Sequence, residues 1–576
     1  MKKFRPGISF GDFVVHEMSV RKSRVQEERE PDYRKGWLLW LVVVVAFGMI
    51  GVRLVQLQLI YGNRYRILAD ENRIRQLRMP APRGVITDRV GRILAENRRV
   101  TETDESTKLE VEVWDRYYPY GEALGTVVGY TGEVGEEEVG LLKEAGKKYV
   151  SGGRIGRQGI EVQLEEELRG IDGGRLVEVD STGKVAREMG KREPKEGRAT
   201  VLNIDADLQR KAYEAFAGKK GAAVVSDPQT GEIVVLMSSP GFDPNNLSEN
   251  YDDLSTNKDL PLFDRAVGGV YPPGSTFKMI TSTSALESGR VDPDFVFEDR
   301  GVISVGDFRY TNWLYNKGGG VEGVVGFTRA ITRSTDTFFY RVGEITGPDE
   351  ISAWAHRMGL GEKTGIDLPG EVSGLIGDPE WKEKVKGERW FLGNTYHMAI
   401  GQGDILVTPI QINLMTNILA SGGKKCKLHL IQGENFGEQC QKVPISEETL
   451  EIIRQGMIGA CSPGGTAFPL FDWNDGALRQ SGSASFAKAM EGQSLPVIAC
   501  KTGTAEYVGE NGKVREHGWL TAYAPAKDPK ISVTVVVEGG GEGSNVAAPI
   551  VRKILAKYFS VEDTYPYSAI PQVMGE

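Results

Sequence analysis

The chain has 576 residues, with 70 Lys+Arg against 79 Asp+Glu and a formal net charge of −9, an acidic balance that argues against a chain-wide nucleic-acid binder. Hydrophobic residues make up 40% and charged residues 26%, the composition of a folded globular protein, and four cysteines exclude a disulfide-built scaffold. At about 150 residues per domain, the length fits three or four domains, or one large domain with additions.

Residues 1–35 are polar and of mixed charge and read as a loosely ordered tail. Residues 36–52, GWLLWLVVVVAFGMIGV, carry no charge, and the apolar character resumes beyond Arg53. A bilayer-crossing helix needs about 20 residues, so 36–60 reads as a single membrane span with Arg53 snorkelling to an interface. The span starts far from residue 1 and no small-x-small cleavage site follows it, so it is expected to stay as an anchor. Six Lys/Arg in 16–35 face five in 61–80, so the positive-inside rule is nearly tied and orientation has to come from function.

Residues 61–80 continue as an Arg-rich, helix-like stretch, and 80–97 reads as extended chain, a turn at Asp88–Gly91 and a second strand. Residues 98–153 are charged and read as irregular. GRQGIEVQLEEELRG reads as a glycine-led helix, and 171–204 as short strands. The composition changes near 200. DADLQRKAYEAFAG has helix periodicity with Asp205 as its N-cap, and GAAVVSDPQTGEIVVLMS is a hairpin signal. GWLTAYAP and KISVTVVVEGG form another strand pair before a terminal helix, so N- and C-terminal strands are expected to close into one sheet. The expected organisation is a tail (1–35), a membrane helix (36–60), a β-rich pedestal (61–200), a large α/β (α+β) domain with an antiparallel sheet flanked by helices (201–565), and a C-terminal tail (566–576).

Ser275-Thr276-Phe277-Lys278 places a lysine one helical turn from a serine. Ser-x-x-Lys also begins at Ser19, Ser181, Ser255, Ser421 and Ser485, and taken alone it reads better as an N-cap serine with a solvated lysine. Context singles out Ser275: it follows the sharp Tyr271-Pro272-Pro273-Gly274 turn and opens a helix, whose N-terminal N–H groups favour a developing anion. Ser334-Thr335-Asp336 comes next, and Lys501-Thr502-Gly503-Thr504 follows the apolar run LPVIAC, which can lead into an edge strand. A second Lys-Thr-Gly at 363–365 lacks such a run and reads as a loop.

This ordered set resembles the Ser-x-x-Lys, Ser-Asp-Asn-like and Lys-Thr-Gly combination of β-lactamases and penicillin-binding proteins. RGVITDRVGRILAEN, GYTGEV, GIEVQLEEELRG, YPPGSTFK, TGIDLPGE, AIGQGDILVTPIQI and KTGTAE follow one another as in class B penicillin-binding proteins, and Asp336 is similar to the elongation-type branch. The segment 98–155 is shorter than in most relatives. The resemblance implies a peptidoglycan D,D-transpeptidase acting in cell elongation and shape maintenance, inhibited covalently by β-lactams. It implies Ser275 as nucleophile, Lys278 as base, Ser334 as proton relay and Lys501 as a catalytic cation. Asp336 would orient substrate and Lys278, while Lys501, Thr502, Gly503 and Thr504 form the strand that grips the substrate's terminal carboxylate. Backbone N–H groups of Ser275 and Thr504 would form the oxyanion hole.

The same motifs serve D,D-carboxypeptidases and β-lactamases; the long spacing from Ser334 to Lys501 and the pedestal argue against those. A non-enzymatic β-lactam sensor or morphogenetic scaffold is argued against by the intact Ser275, Lys278, Ser334 and Lys501 and by a tail too short for a signalling module. No glycosyltransferase fits in 62–200, so the implied partner is a membrane polymerase of the SEDS family, RodA-like, met through the membrane helix and the pedestal. The implied location is the bacterial cell (inner) membrane, N-terminus cytoplasmic. No cofactor is expected. Some relatives hold zinc with Asp, His and Cys between the first two motifs; Asn312, Gly318-Gly319-Gly320 and Thr335 stand at the corresponding places here, so no metal is expected. The five histidines show no metal-ligand spacing. His517 reads as structural at the start of a strand, and Trp313 as either cleft-lining or core. Cys426 and Cys440 read as free thiols with a disulfide as the alternative, and Cys500 as a buried strand residue; Cys461 precedes a glycine loop that lies near the active site in relatives.

Overall fold

The computed structural model describes residues 33–103, 110–180, 184–433, 440–475, 495–509 and 512–567. The expected tails at 1–35 and 566–576 fall almost wholly outside them, as do Ser19, Ser181 and Ser485. The described chain forms two compact units, Met1–Arg75 with Val177–Glu188 and Gln76–Leu176 with Met189–Glu576.

In the first unit the apolar run is a helix, Tyr33–Val55, prolonged by a π-helical turn, Gln56–Ile60. Its stretch Gly36–Ile60 is long and apolar enough to cross a membrane, and none of it is buried. Apolar side chains project on every side, Trp37 and Trp40 among them. Such a surface is stable against lipid and costly in water. The Arg-rich stretch forms a helix over Gly62–Arg73, but from Ile74 to Met79 it is a strand rather than more helix.

In the second unit, strands Ile86–Thr87, Ile93–Thr103 and Glu110–Tyr117 join Thr200–Val201 in a four-stranded sheet. Asp88 makes the expected turn: its carboxylate accepts from the N–H groups of Val90 (3.0 Å) and Arg92 (2.8 Å), and Gly91 takes φ +88°. The charged stretch after 98 is not irregular. Glu96 to Thr103 pair antiparallel with Tyr117 back to Glu110. Beyond Asn97 the first of these strands is exposed, and the only alternation in the second, Glu110-Val111-Glu112-Val113, is four residues long in a run dominated by charge, too short to announce a strand. Cross-strand contacts hold the ribbon, with Arg98 over the Tyr117 ring at 3.1 Å and Arg99 over Trp114 at 5.1 Å. The glycine-led helix is two short pieces, Gly159–Gln163 and Glu165–Leu168.

Those pieces carry two buried acids that meet two buried arginines. Arg83 bonds Glu161 (2.9 Å) and Glu165 (2.8 Å), and Arg116 bonds the other Glu161 oxygen (2.7 Å). Burial opposes ionisation of Glu161, but the Arg116 and Arg83 guanidiniums outweigh it and hold the carboxyl below its ordinary range. Removing one partner from such a cluster costs about 3–5 kcal/mol, because a buried charge is left uncompensated. Arg92 makes a second tie: it bonds Asp88 (2.7 Å) and Asp205 (2.7 Å) and pairs with Asp207.

Asp205 is also the N-cap of helix α1 (Ala206–Phe216), accepting from the N–H groups of Asp207 and Leu208. A cap of this kind stabilises by about 1 kcal/mol. Beyond it lie strands β1 (Gly221–Ser226) and β2 (Ile233–Ser239), then helices α2 (Lys278–Glu287), α3 (Phe327–Arg333), α4 (Asp336–Thr346), α5 (Pro409–Ala420) and α6 (Glu447–Ala460). Strands β3 (Ala499–Val508), β4 (Val514–Ala524) and β5 (Ile531–Val537) and helix α7 (Gly543–Tyr558) follow. The strands form one antiparallel sheet in the order β2-β1-β5-β4-β3. First and last strands of the domain pair at the centre, Gly221 opposite Val537, as expected from the two β-rich ends. Alternate residues face two cores: Ala223, Val225, Val535 and Val537 pack with α1 and α7, while Val224 and Val536 belong to the larger core containing α2, α4 and α5. Both faces are covered, so the strands read as nearly continuous apolar runs. β3 is left as the edge that borders the cleft.

Cys426 and Cys440 form a disulfide, against the expectation of two free thiols. Lys424 pairs with Lys442 and Lys425 with Gln441, so the next step of this register sets Cys426 across from Cys440. A separation of 14 residues says nothing of such a pairing until the hairpin is known.

Candidate active site

The first motif sits where the chain turns into α2. Gly274–Phe277 is a 3₁₀ turn and Lys278 is the first residue of the α-helix, so the expected single helix is two pieces. Three residues per 3₁₀ turn set positions 275 and 278 on one face. Gly274 has φ +54°, and a Cβ there would lie 2.5 Å from the Thr504 carbonyl oxygen. Only glycine allows this approach, and it lays the backbones of Ser275 and Thr504 side by side. From the other side, the Gly274 N–H donates to the Gly401 carbonyl (2.9 Å), and Gly401, at φ +73°, has to be glycine because a Cβ there would lie 2.3 Å from the Gly274 carbonyl oxygen. Behind the turn, Tyr271 donates to Glu538 (2.6 Å), which also holds Arg265 (2.9 Å), and the Trp519 indole donates to the Pro272 carbonyl (3.0 Å).

The second motif is the break between α3 and α4. Ser334 ends α3 in the left-handed conformation, φ 56°, without being glycine. Such strain costs about 1–3 kcal/mol and persists where the surroundings enforce it. Here they do: the Trp313 indole donates to the Arg333 carbonyl (2.9 Å), the Trp313 N–H donates to Asp336 (3.1 Å), and Asn312 accepts from the Asp336 N–H (3.3 Å). Trp313 therefore lines the cleft and braces the motif at once.

The third motif lies on β3, with Lys501 opposite Thr521 and Gly503 opposite Trp519. The three motifs converge on one oxygen. Ser334 Oγ lies 3.1 Å from Lys278 Nζ and 2.9 Å from Lys501 Nζ. Lys278 also donates to the Ser334 carbonyl (2.8 Å) and to Asp336 (2.6 Å), and Lys501 to the Thr502 carbonyl (2.8 Å). Both lysines are fully buried. Burial pushes Lys278 below its ordinary value, with the Asp336 carboxylate opposing that shift. Burial and then the neighbouring Lys278 charge push Lys501 lower still. One carboxylate cannot balance two desolvated ammonium groups, so the arrangement favours one neutral lysine, able to accept a proton through the serine between them.

Ser275, Ser334, Asp336, Thr502, Gly503 and Thr504 line a cleft of about 770 Å³. All eight residues expected at the site are thus brought together, six on the cleft wall and the two lysines directly behind it. Lys501 does not line the cleft: its Nζ donates to Ser334 Oγ and to the Thr502 carbonyl. The second Lys-Thr-Gly is a loop, its Thr364 and Gly365 N–H groups bound by Glu371 at 2.6 and 3.0 Å. Ser255 caps its own helix turn by donating to Asp252 (3.0 Å). His517 is the fourth residue of β4, not its start. It stacks on Tyr507 at 4.0 Å, and burial lowers its pKa to about 4, so it stays neutral. Asn312, fully buried, donates to Asp299 (3.1 Å) as well as holding the Asp336 N–H. Among the described residues no group of three or more His, Cys, Asp or Glu is placed to hold a metal.

Sequence reading missed two features. Thr466 also lines the cleft, its hydroxyl 2.7 Å from that of Thr502. Cys461 and Cys500 form a second disulfide, which leaves no free cysteine in the chain. The signals were an even cysteine count and the adjacency of Cys500 to Lys501.

Residues 221–556 match the family model described as the penicillin binding protein transpeptidase domain, and residues 99–202 match the penicillin-binding protein dimerisation domain. The chain is 31% identical over 630 residues to the peptidoglycan D,D-transpeptidase MrdA of Haemophilus influenzae, covering 95% of this chain and 93% of that one. Among solved structures it is similar to Pseudomonas aeruginosa PBP2 in complex with WCK 5153, at 32% identity and TM-score 0.68, covering 84% of this chain and 96% of that one. It is also similar to a chain of a peptidoglycan synthase complex that coordinates polymerization and crosslinking, at 30% identity and TM-score 0.70, covering 92% and 99%.

The electrostatics set the pH response of any acylation at Ser275 that uses a lysine of this pair as base. The base must be neutral, so the rate should rise with pH along a limb centred well below the ~10.4 of a free lysine. Asp336→Asn removes the charge that raises Lys278, so the limb should move to lower pH while the plateau rate falls. A rate–pH profile with its limb at the free-lysine value, or moving upward in Asp336→Asn, would contradict this account.

Proposed function

The chain belongs to the penicillin-binding-protein transpeptidase family, and from that premise we propose that it is a membrane-anchored peptidoglycan D,D-transpeptidase of the elongation type. The carrying observation is Ser334 Oγ suspended between Lys278 and Lys501 beside a cleft that Ser275 lines. In this reading Ser275 Oγ attacks the carbonyl of the penultimate D-alanine of a stem peptide, and Lys278 takes its proton. The oxyanion faces the Ser275 and Thr504 N–H groups. Ser334 passes a proton to the departing amine, and D-alanine leaves. An amine of a neighbouring stem attacks the ester, forming the cross-link and returning the proton to Ser275. The terminal carboxylate lies on the Thr502 and Thr504 edge, in the field of whichever lysine of the Lys278–Lys501 pair carries the proton. Asp336 holds Lys278 in place, and residues 61–200 act as a pedestal for the domain at 201–565.

Ser275→Ala should abolish covalent labelling by a fluorescent penicillin while the melting profile stays that of the parent protein. Labelling that survives in Ser275→Ala would refute the assignment.

The substrate lies outside the cytoplasm, so residues 1–35 are assigned to the cytoplasm and the chain beyond 60 to the outer side. Two disulfides fit an oxidising compartment. A reporter fused after Glu576 should be active only if it functions outside the cytoplasm; activity of a cytoplasm-only reporter there would overturn the orientation and the cross-linking role with it.

A cross-linker without its own polymerase needs strands delivered, and we assign that task to a SEDS-family, RodA-like polymerase reached through the membrane helix and pedestal. A relative's membership of a complex joining polymerization to crosslinking supports this. Gly48 and Gly51, three residues apart, leave a flat patch on one face of the helix, and a Cβ at either glycine would meet nothing in this chain. Replacing Gly48 and Gly51 with leucine should weaken co-purification with the polymerase from detergent at unchanged expression; undiminished recovery would place the contact elsewhere.

A further inference from the structure

β3 is an edge strand, and its cleft side has no neighbouring strand to fix it. Three ties run from it to the segment 461–474. Cys500 is bonded to Cys461, the C-cap of α6, across 39 residues of sequence. Asn474 donates to the Ile498 carbonyl (2.8 Å) and accepts from the Ile498 N–H (2.8 Å), just before the strand. Thr466 meets Thr502, hydroxyl to hydroxyl, at 2.7 Å.

Successive strand residues point to opposite faces. Cys500 accordingly joins the core made with α1 and α7, while Lys501 reaches Ser334. Both disulfide cysteines are completely buried in that core. The loop from Cys461 to Thr466 is short and wound tightly on the end of α6: the Thr466 and Ala467 N–H groups both donate to the Ala460 carbonyl (3.1 and 2.9 Å). A Cβ at Gly465 would lie 2.3 Å from the Gly459 carbonyl oxygen, so only glycine lets the loop fold back this closely. Arg333, the residue before Ser334, donates to the Gly464 carbonyl (2.8 Å). The position of Thr466 is therefore set by the α6 terminus, and the disulfide fixes β3 to that same terminus.

We propose that the Cys461–Cys500 disulfide is a positioning brace for the carboxylate-gripping edge of the cleft, and that it acts through Thr466, whose hydroxyl fixes the direction in which Thr502 presents its own. Thr466 is then a specificity-determining residue for the terminal carboxylate of the donor stem. A hydroxyl that accepts from Thr466 has its own proton free to donate to an anion. The inference rests on the D,D-transpeptidase reading above. It assigns the brace to substrate binding and not to the chemical step, because Ser275, Lys278 and Ser334 are carried by α2 and the α3–α4 break. Those have ties of their own, from Gly274 to Gly401 and from Lys278 to Asp336.

The test uses the full-length protein in detergent and a thioester analogue of an acyl-D-alanine substrate with a free carboxylate. Thr466→Val should raise KM about tenfold, the scale of one hydrogen bond that orients a group on an anion, with kcat within threefold of the parent. Thr466→Ser should restore KM. The double variant Cys461→Ser with Cys500→Ser should raise KM in the same sense, and adding Thr466→Val to it should cost little more, since both act through one contact. Cys426→Ser with Cys440→Ser should leave both parameters alone. Should the double variant fail to fold, the Thr466 pair decides. Unchanged KM in Thr466→Val, a fall in kcat as large as the rise in KM, or full additivity with the cysteine changes overturns the inference. Each of those results leaves the parent reading standing as long as Ser275→Ala abolishes penicillin labelling, whereas labelling of Ser275→Ala overturns both.

Discussion

Two lysine ammonium groups buried around one serine hydroxyl are the constraint on which the rest of this site depends. Taking an ammonium out of water is expensive, and the cost is met by pairing, by hydrogen bonding or by losing the proton. Lys278 has Asp336 at 2.6 Å, while Lys501 has only the Ser334 hydroxyl and the Thr502 carbonyl. The deficit favours the loss of one proton, which sets a neutral amine beside an ammonium directly behind the cleft wall. Neither lysine would behave so on a solvated surface, where each would stay protonated at neutral pH.

Meeting that constraint requires three segments far apart in sequence to arrive within hydrogen-bond reach of one another. The fold does this with rigid parts. The antiparallel sheet offers β3 as its edge, and β4, flanked by the core strand β5, fixes the register of Lys501. The α3–α4 break holds Ser334 in a left-handed conformation that the helices on either side and Trp313 enforce. The turn before α2 is pressed between β3 and the Gly401 segment, and glycine at 274 is what allows backbone to touch backbone there. Each device replaces side-chain bulk or backbone freedom with a fixed contact, which is what a site that must hold a proton-transfer geometry needs.

The part nearer the N-terminus uses charge where the catalytic domain uses apolar packing. The Arg83, Arg116, Glu161 and Glu165 cluster and the Arg92 link to Asp205 join short elements that could not bury much apolar surface by themselves. Such ties are directional, so they specify a geometry more strongly than they add stability.

The sequence by itself determined much of this protein. A charge-free run set the membrane helix, the helix cap at Asp205 and the apolar strand runs set the framework, and the ordered motifs at Ser275, Ser334 and Lys501 located the site, because these are local patterns of polarity and residue type. Tertiary structure alone decided the charged strands 93–103 and 110–117, whose alternation is too short to read against their charge, and the two disulfides, whose partners meet only when a hairpin and a helix end are in place. It alone decided that Ser334 Oγ stands between both lysines and that Thr466 reaches Thr502. Those are distances between segments 36 to 167 residues apart, and no local preference encodes a distance across the core.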